Sequence, residues 1–152
     1  MEQNNVAKSE TGIDPKHIPV YRIEQYLLTL PQVEMITDHQ FCKGLYARSL
    51  TIPAGVLLTG AVHKDECFFI VRSGSILITT DDEPVKADAG FMVVSKAGSK
   101  RVGLALTETV VTTFHTNPEE LRDPDDLWDH ITIPPPDNLL EILAKDELEE
   151  PL

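Results

Sequence analysis

Short apolar segments separated by turn residues fill the chain between residues 32 and 116, and this pattern most constrains what the chain can fold into. The segments 75–80 and 109–116 are rich in β-branched residues, which suit the pleated surface of a sheet. Proline, glycine and aspartate mark turns at 53–55 and 81–84. Many short strands at this spacing predict an all-β fold, either a barrel or a sandwich.

The sequence divides into three parts. Residues 1–20 are polar, and we expect them to be mobile. Residues 21–116 combine a short amphipathic helix at 21–30, which a proline ends, with the strand-rich barrel. Residues 117–152 form an acidic, proline-containing arm, in which the apolar spacing over 139–148 predicts a short helix.

Acidic residues are concentrated in the C-terminal arm. The whole chain has a formal net charge of −12, and residues 117–152 hold twelve acidic and two basic residues. Such a charge repels nucleic-acid phosphates and anionic membranes, so neither is an expected partner. The arm either binds a basic protein surface or serves only solubility, and both interpretations stay open.

Targeting signals are missing from the sequence as given. No apolar run approaches the roughly 20 residues needed to cross a bilayer. The polar N-terminus lacks the apolar middle of a signal peptide. Cys42 and Cys67 are too few for a disulfide framework. Cytosolic residence is therefore the expectation.

Two segments, residues 52–74 and 90–105, carry the strongest motif signal. They resemble the two motifs of the cupin superfamily at Gly74, Gly90, Gly98 and His63. The resemblance implies a cupin-like jelly-roll β-barrel, in which three histidines and a glutamate bind a divalent metal. Neutral imidazoles and a carboxylate suit Mn, Fe, Ni or Zn, and strand alternation lets them converge inside a barrel.

The remaining motif positions depart from the family pattern. Three of the four metal-ligand positions hold Ala61, Cys67 and Arg101. The position of the motif proline holds Lys96, and that of the motif asparagine holds Ala105. A guanidinium keeps its proton at physiological pH, so Arg101 cannot ligate a cation. Glu66 precedes the glutamate position by one residue, where strand alternation points it at the opposite face. A degenerate metal site is therefore predicted, with no cofactor. A divalent metal stays an alternative if a bulge turns Glu66 inward.

A narrower resemblance covers roughly residues 30–115. The strings at 30–34, 46–64 and 94–115 are similar to uncharacterised small cupin-like proteins of tailed bacteriophages and prophages. Those proteins usually have a histidine where this chain has Cys67. The resemblance implies a viral protein that acts in the cytoplasm of an infected or lysogenic host, or in the virion.

Arg101 is the first candidate binding residue. Strand alternation places it on the same side as Gly103 and Ala105, whose small side chains leave room around its head group. It either clamps a carboxylate or phosphate of a small ligand or forms an internal ion pair with Asp65 or Glu66. Burying an unpaired guanidinium would cost folding free energy. If Arg101 points inward, it must therefore either bind a ligand anion or form the internal ion pair.

Three further residues are candidates for ligand binding. His63 is either a ligand or acid–base group or an inert histidine at the barrel mouth. Cys67 is either a nucleophile or a small buried apolar residue, and His115 either faces the interior or has a surface or supporting role. Lys64, Lys96 and Lys100 lie near the same end of the predicted barrel, where they either form a basic rim or are scattered solvated lysines. No catalytic residue is assigned.

Three functions follow from these residues. The first is a non-enzymatic structural or interaction module of a virion or host-takeover complex. The second is a protein that binds and sequesters a small anionic molecule through Arg101. The third is a metal-dependent isomerase or dioxygenase. We expect a homo-oligomer, a dimer or larger, because open sheet edges tend to pair, and a protein partner for residues 117–152.

Overall fold

The computed structural model describes residues 12–80 and 82–149. Residues 1–11 of the segment expected to be mobile lie outside this range. A short 3-10 turn, Pro15–His17, leads into the first helix. The helices are α1 Ile18–Leu28, α2 Pro124–Ile131 and α3 Leu139–Glu149. The strands are β1 Ile36–Cys42, β2 Leu45–Ile52, β3 Leu57–Thr59, β4 Val62–His63, β5 Cys67–Ser73, β6 Ser75–Ile78, β7 Val85–Asp88, β8 Met92–Ser95, β9 Val102–Ala105, β10 Thr109–Thr116 and β11 Thr132–Ile133.

Two antiparallel sheets form the body of the protein. The larger sheet has the strand order β1-β2-β10-β5-β8, and the smaller has the order β3-β9-β6-β7. A two-stranded pair, β11-β4, lies beside them. The predicted all-β jelly-roll is confirmed. Within the described residues the sheets are not joined by hydrogen bonds into a closed barrel.

The core lies between the two sheets. Inward positions of both sheets form one buried cluster: Leu50, Ile52, Val71, Val111, Ile76, Ile78, Ala87 and Ala105. The period-two alternation of the strands creates this face, because every second side chain points inward. Each large aliphatic side chain buried here contributes about 1.5–3 kcal/mol to folding.

Gly74 lets the chain pass directly from β5 to β6. Its φ of 80° lies in the left-handed region that favours glycine. A β-carbon added at this position would collide with the backbone of Glu108 and Thr109. The glycine is therefore required by the close approach of two chain segments.

Helix α1 packs on the smaller sheet and against the C-terminal helix. It begins at Ile18, three residues before the predicted start, because a proline in its first turn has a preset φ. Tyr21 lies in a second small core with Leu139, Ile142 and Leu143 of α3. Arg22 donates hydrogen bonds at 2.8–3.0 Å to two acidic side chains of α3.

The C-terminal arm returns to the sheets through α2 and β11. Asp123 caps α2, accepting hydrogen bonds from the backbone N–H groups of the first turn. Strand β11 then pairs with β4, with Thr132 opposite His63. Leu127 of α2 is fully buried against Tyr46. In the described part of the chain, no helix is long and apolar enough to span a membrane.

Candidate functional site

A cavity of about 250 Å³ opens between the two sheets. One half of its wall is apolar and belongs to the core. The other half carries the chemically active side chains, namely Arg48, His63, Cys67, Ser95, Arg101 and Trp128. Three of the four ligand-binding candidates from the sequence, His63, Cys67 and Arg101, therefore line one space.

Arg101 points inward from the segment that precedes β9. Its Nε donates to Ser95 Oγ at 3.3 Å, and its Nη1 donates to the carbonyl oxygen of Thr79 at 3.0 Å. No carboxylate among residues 12–80 and 82–149 forms an ion pair with it. The suggested ion pair with Asp65 or Glu66 is wrong, because the turn between β4 and β5 carries both acids into solvent.

Arg48 is a second guanidinium in the same cavity, and the sequence reasoning missed it. It lies on the inward face of β2 in alternation with Tyr46 and Leu50, which are both buried. Its Cζ lies 4.4 Å from the ring centroid of Trp128, a cation–π contact. The described part of the chain gives its guanidinium no hydrogen bond and no carboxylate. The period-two pattern of β2 was the signal that could have found it.

The charge of the cavity is positive and uncompensated. Its lining, as far as the structure describes it, holds two guanidinium groups and no aspartate or glutamate. Burial lowers the pKa of Arg48, but a guanidinium remains protonated at physiological pH. Arg48, which is partly buried, therefore loses hydration without gaining an opposite charge among the described residues.

His63 and His115 form a stacked pair at the wall of the cavity. Their ring centroids are 5.0 Å apart, and Trp128 meets His63 edge-on at 5.7 Å. His115 lies behind His63, 4% exposed, with its Nε2 2.8 Å from Thr113 Oγ1. His115 therefore supports the wall and does not line the cavity.

Both histidines are held in the neutral form. Burial, then the charge of Arg48, lowers the pKa of His63. Burial, then His63 and Arg48, lowers the pKa of His115 to about 4. The Nε2 of His63 is buried and finds no hydrogen-bond partner among the described residues. A neutral imidazole with an unpaired nitrogen can donate or accept one hydrogen bond, according to its tautomer.

Cys67 is buried where β5 enters the cavity. Burial raises the pKa of its thiol, and the positive charge of Arg101 opposes that rise. A thiol with a raised pKa holds little thiolate, so Cys67 behaves as a small apolar wall residue.

The residues at the motif ligand positions do not fit a divalent metal ion. Ala61 has no donor atom, and the guanidinium of Arg101 keeps its proton and repels a cation. His63 and a protonated Cys67 thiol are the donors that remain. No group of three or more His, Cys, Asp or Glu side chains gathers in the described residues to hold a metal.

The predicted basic rim is wrong at one of its three positions. Lys64 and Lys96 are exposed, but Lys100 is buried. Its Nζ donates to Glu24 Oε2 at 2.7 Å and to the carbonyl oxygen of Gly60 at 2.9 Å. Lys100 therefore ties helix α1 to the sheets, and its charge is neutralised by Glu24.

No family model and no curated protein matches this sequence. Solved structures match its fold. KdgF from Halomonas sp. gives a TM-score of 0.51 at 16% identity, covering 64% of this chain and 90% of that chain. A mutant of salicylate 1,2-dioxygenase from Pseudoaminobacter salicylatoxidans gives 0.51 at 14% identity, covering 68% of this chain and 33% of that chain. A cupin superfamily protein from Desulfitobacterium hafniense DCB-2 gives a TM-score of 0.48 at 8% identity, covering 57% of this chain and 81% of that chain.

The two matches with a TM-score of 0.51 agree with the all-β jelly-roll fold predicted from the sequence. One of these two neighbours is a dioxygenase by its name. Identities this low show the fold and do not assign an activity. The narrower likeness to bacteriophage proteins stays a prediction.

Proposed function

We propose that this protein binds a small organic anion, with the anionic group held between Arg48 and Arg101. One observation carries the proposal: two guanidinium groups face one cavity whose described lining contains no acidic side chain. An anionic ligand supplies the missing countercharge. The sequence suggested that Arg101 alone holds the anion, and Arg48 adds a second guanidinium group.

The cavity favours a carboxylate with an apolar body over inorganic phosphate. Guanidinium groups bind carboxylates through paired hydrogen bonds, so two of them suit a single carboxylate well. Opposite this polar half lie the aliphatic side chains of the core. A volume of about 250 Å³ accommodates roughly ten non-hydrogen atoms at the packing density of protein interiors. Benzoate, with one carboxylate and an aromatic ring, is a suitable probe.

His63 is a third polar residue at the cavity wall. Its Nε2 is buried and has no hydrogen-bond partner among the described residues, so the ring must turn before this nitrogen can donate to a carboxylate oxygen or accept from a hydroxyl of the ligand. Because burial and then the charge of Arg48 lower the pKa of His63, the ring would add directionality without adding charge.

A thermal-shift screen tests the proposal. Benzoate, acetate, succinate and inorganic phosphate are compared with benzamide, which has the shape of benzoate without its charge. A ligand that binds the native state raises the melting temperature. Benzoate is expected to raise it and benzamide is not. Trp128 is the single tryptophan and lines the cavity, so its fluorescence should change over the same titration.

Two charge-removing variants make the test specific. Arg48→Met and Arg101→Met should each weaken benzoate binding by about 30-fold or more, because truncating one partner of a buried charge pair costs about 2–5 kcal/mol. Arg48→Met should also keep or raise the melting temperature of the ligand-free protein, since it removes a partly buried cation that has no acidic partner among the described residues, and methionine can still pack on Trp128. Arg122→Met, at an exposed arginine, is the matched control. Benzoate binding that survives both cavity substitutions would refute the proposal.

A second proposal is a non-enzymatic interaction module in a virion or host-takeover complex, acting in the host cytoplasm. Exposed apolar side chains before and at the start of the edge strand β1 support it: Val33 is 52% exposed and Ile36 is 73% exposed. A stoichiometric copy number in purified virions, or stable capture of one host complex, is the expected result. Absence from both would contradict it. We do not propose a metal-dependent enzyme, because the donor set does not fit a metal.

A further inference from the structure

The outer face of the larger sheet is apolar, although it points away from the core. Strand β5 shows this most clearly, because Phe69 and Val71 face inward while Phe68 and Ile70 face outward. A strand that is apolar on both sides is typical of a strand covered on both sides. The three helices pack elsewhere, and in the described part of the chain none of them covers this face.

The strand register gathers the exposed apolar side chains into two adjacent rows. Phe114, Phe68 and Val94 lie directly opposite one another on β10, β5 and β8. They are 38%, 48% and 44% exposed. In the next row, Ile70 lies beside Met92, which is 60% exposed. The result is one continuous patch on three neighbouring strands.

The same face is electrically neutral in a strongly acidic chain. Its outward positions carry one acid, Asp38 on β1, and one base, Arg72 on β5. Arg72 lies across the sheet, with its Nη1 3.5 Å from Ser49 Oγ. The chain has a formal net charge of −12, most of it in residues 117–152, so two copies repel each other where their C-terminal arms approach. On this face they meet no net charge.

The size of the face is of the same order as a standard protein interface. Five strands spaced about 4.8 Å apart, with about seven residues each, give an area on the order of 500 Å² in projection. Because side chains protrude from the sheet, the accessible area of the face is larger than this projected area. A standard protein interface buries about 800 Å² per partner. Two sheets that pack face to face also have a well-known geometry, with side chains interdigitating over about 10 Å.

We infer that this face is a homodimer interface, on which a second copy of the chain packs its own larger sheet. The arrangement is isologous, because the same neutral apolar patch serves both copies. A foreign basic partner would instead be expected to bind the acidic surface, where charge complementarity lies. The inference is independent of the cavity, which lies on the opposite side of the same sheet.

Analytical ultracentrifugation of charge-introducing variants tests the inference. Phe68→Glu places a carboxylate in the centre of the patch, once in each copy, and should weaken dimerisation by more than about 100-fold. Val94→Glu does the same from strand β8 and decides the matter if Phe68→Glu does not fold. Leu77→Glu is the matched control, because Leu77 is 38% exposed on the outer side of the smaller sheet.

The supporting result is a wild-type dimer that both patch variants dissociate and that Leu77→Glu leaves intact, with unchanged circular dichroism. Three results would overturn the inference. The wild type could sediment as a monomer at every concentration up to the solubility limit, which would leave the face to another occupant. Leu77→Glu could dissociate the dimer, or both patch variants could remain dimeric, and either would place the interface elsewhere.

Discussion

Acid should destabilise this protein through His115. The ring is buried against His63 and near the charge of Arg48, and its pKa is lowered to about 4 in the folded state. In the unfolded chain an ordinary histidine has a pKa of about 6.5. As the pH falls below 6.5, the unfolded chain therefore binds a proton that the folded chain rejects. Stability is full above pH 6.5 and is lost as the pH falls towards 4.

The size of this effect follows from the two pKa values. A difference of about 2.5 units is worth about 3 kcal/mol once both states are protonated. Between pH 7.5 and pH 5.0 the single histidine should account for about 2 kcal/mol. The lowered pKa of His63 acts in the same direction. Urea unfolding at these two pH values measures the loss directly, as a change in midpoint at constant slope.

His115→Phe isolates the contribution of this residue. Phenylalanine keeps an aromatic ring beside His63 but has no proton to bind, so the variant should lose about 2 kcal/mol less than the wild type over the same pH interval. It also forfeits the contact with Thr113 Oγ1, which lowers its stability equally at both pH values. Equal pH dependence in the wild type and His115→Phe would refute the reasoning.

Three other predictions concern stability and metal. Lys100→Met should lower the free energy of unfolding by about 1–3 kcal/mol in urea melts, because it leaves the partly exposed Glu24 with only the hydrogen bond from Thr59; the conservative Lys100→Arg should lose less. Gly74→Ala should cost more than about 1 kcal/mol, since its β-carbon would meet Glu108 and its φ is positive, whereas Gly44→Ala has open space and should cost less. Exhaustive treatment with EDTA should leave both the melting temperature and the benzoate shift unchanged, and a chelator-sensitive shift restored by one divalent metal would contradict the donor-set argument.

Most of the fold could be predicted from the sequence, because strand alternation and turn chemistry are local signals. Strand β10 is an example, where β-branched residues alternate over eight positions. The glycine at position 74 could also be assigned from its motif. The start of α1 could not, because it depends on Pro19 and on packing against α3 at the other end of the chain.

The candidate site was predictable only in part. Arg101, His63 and Cys67 were found because a motif frame marks their positions. Arg48 has no such frame, and an arginine in a strand is ordinarily taken as solvent-exposed. Its role depends on Trp128, eighty residues further along, which returns through the C-terminal arm and covers the guanidinium. No local pattern contains that contact.

Charge pairing is the other feature that local patterns could not give. Lys100 and Arg101 are neighbours in sequence, yet one is neutralised by Glu24 and the other meets no described carboxylate. The difference depends on where helix α1 docks. The partner of Lys100 comes from that helix, while the two acids that the sequence suggested as partners of Arg101, Asp65 and Glu66, turn into solvent.

A crystal structure of the protein with 4-bromobenzoate tests the central claim most directly, because anomalous scattering locates the bromine. The carboxylate should lie between Arg48 and Arg101, with oxygen–nitrogen distances of about 2.7–2.9 Å to both guanidinium groups. The bromine should point into the apolar half of the cavity. A carboxylate bound outside the cavity, or a metal ion coordinated by His63 inside it, would contradict the account.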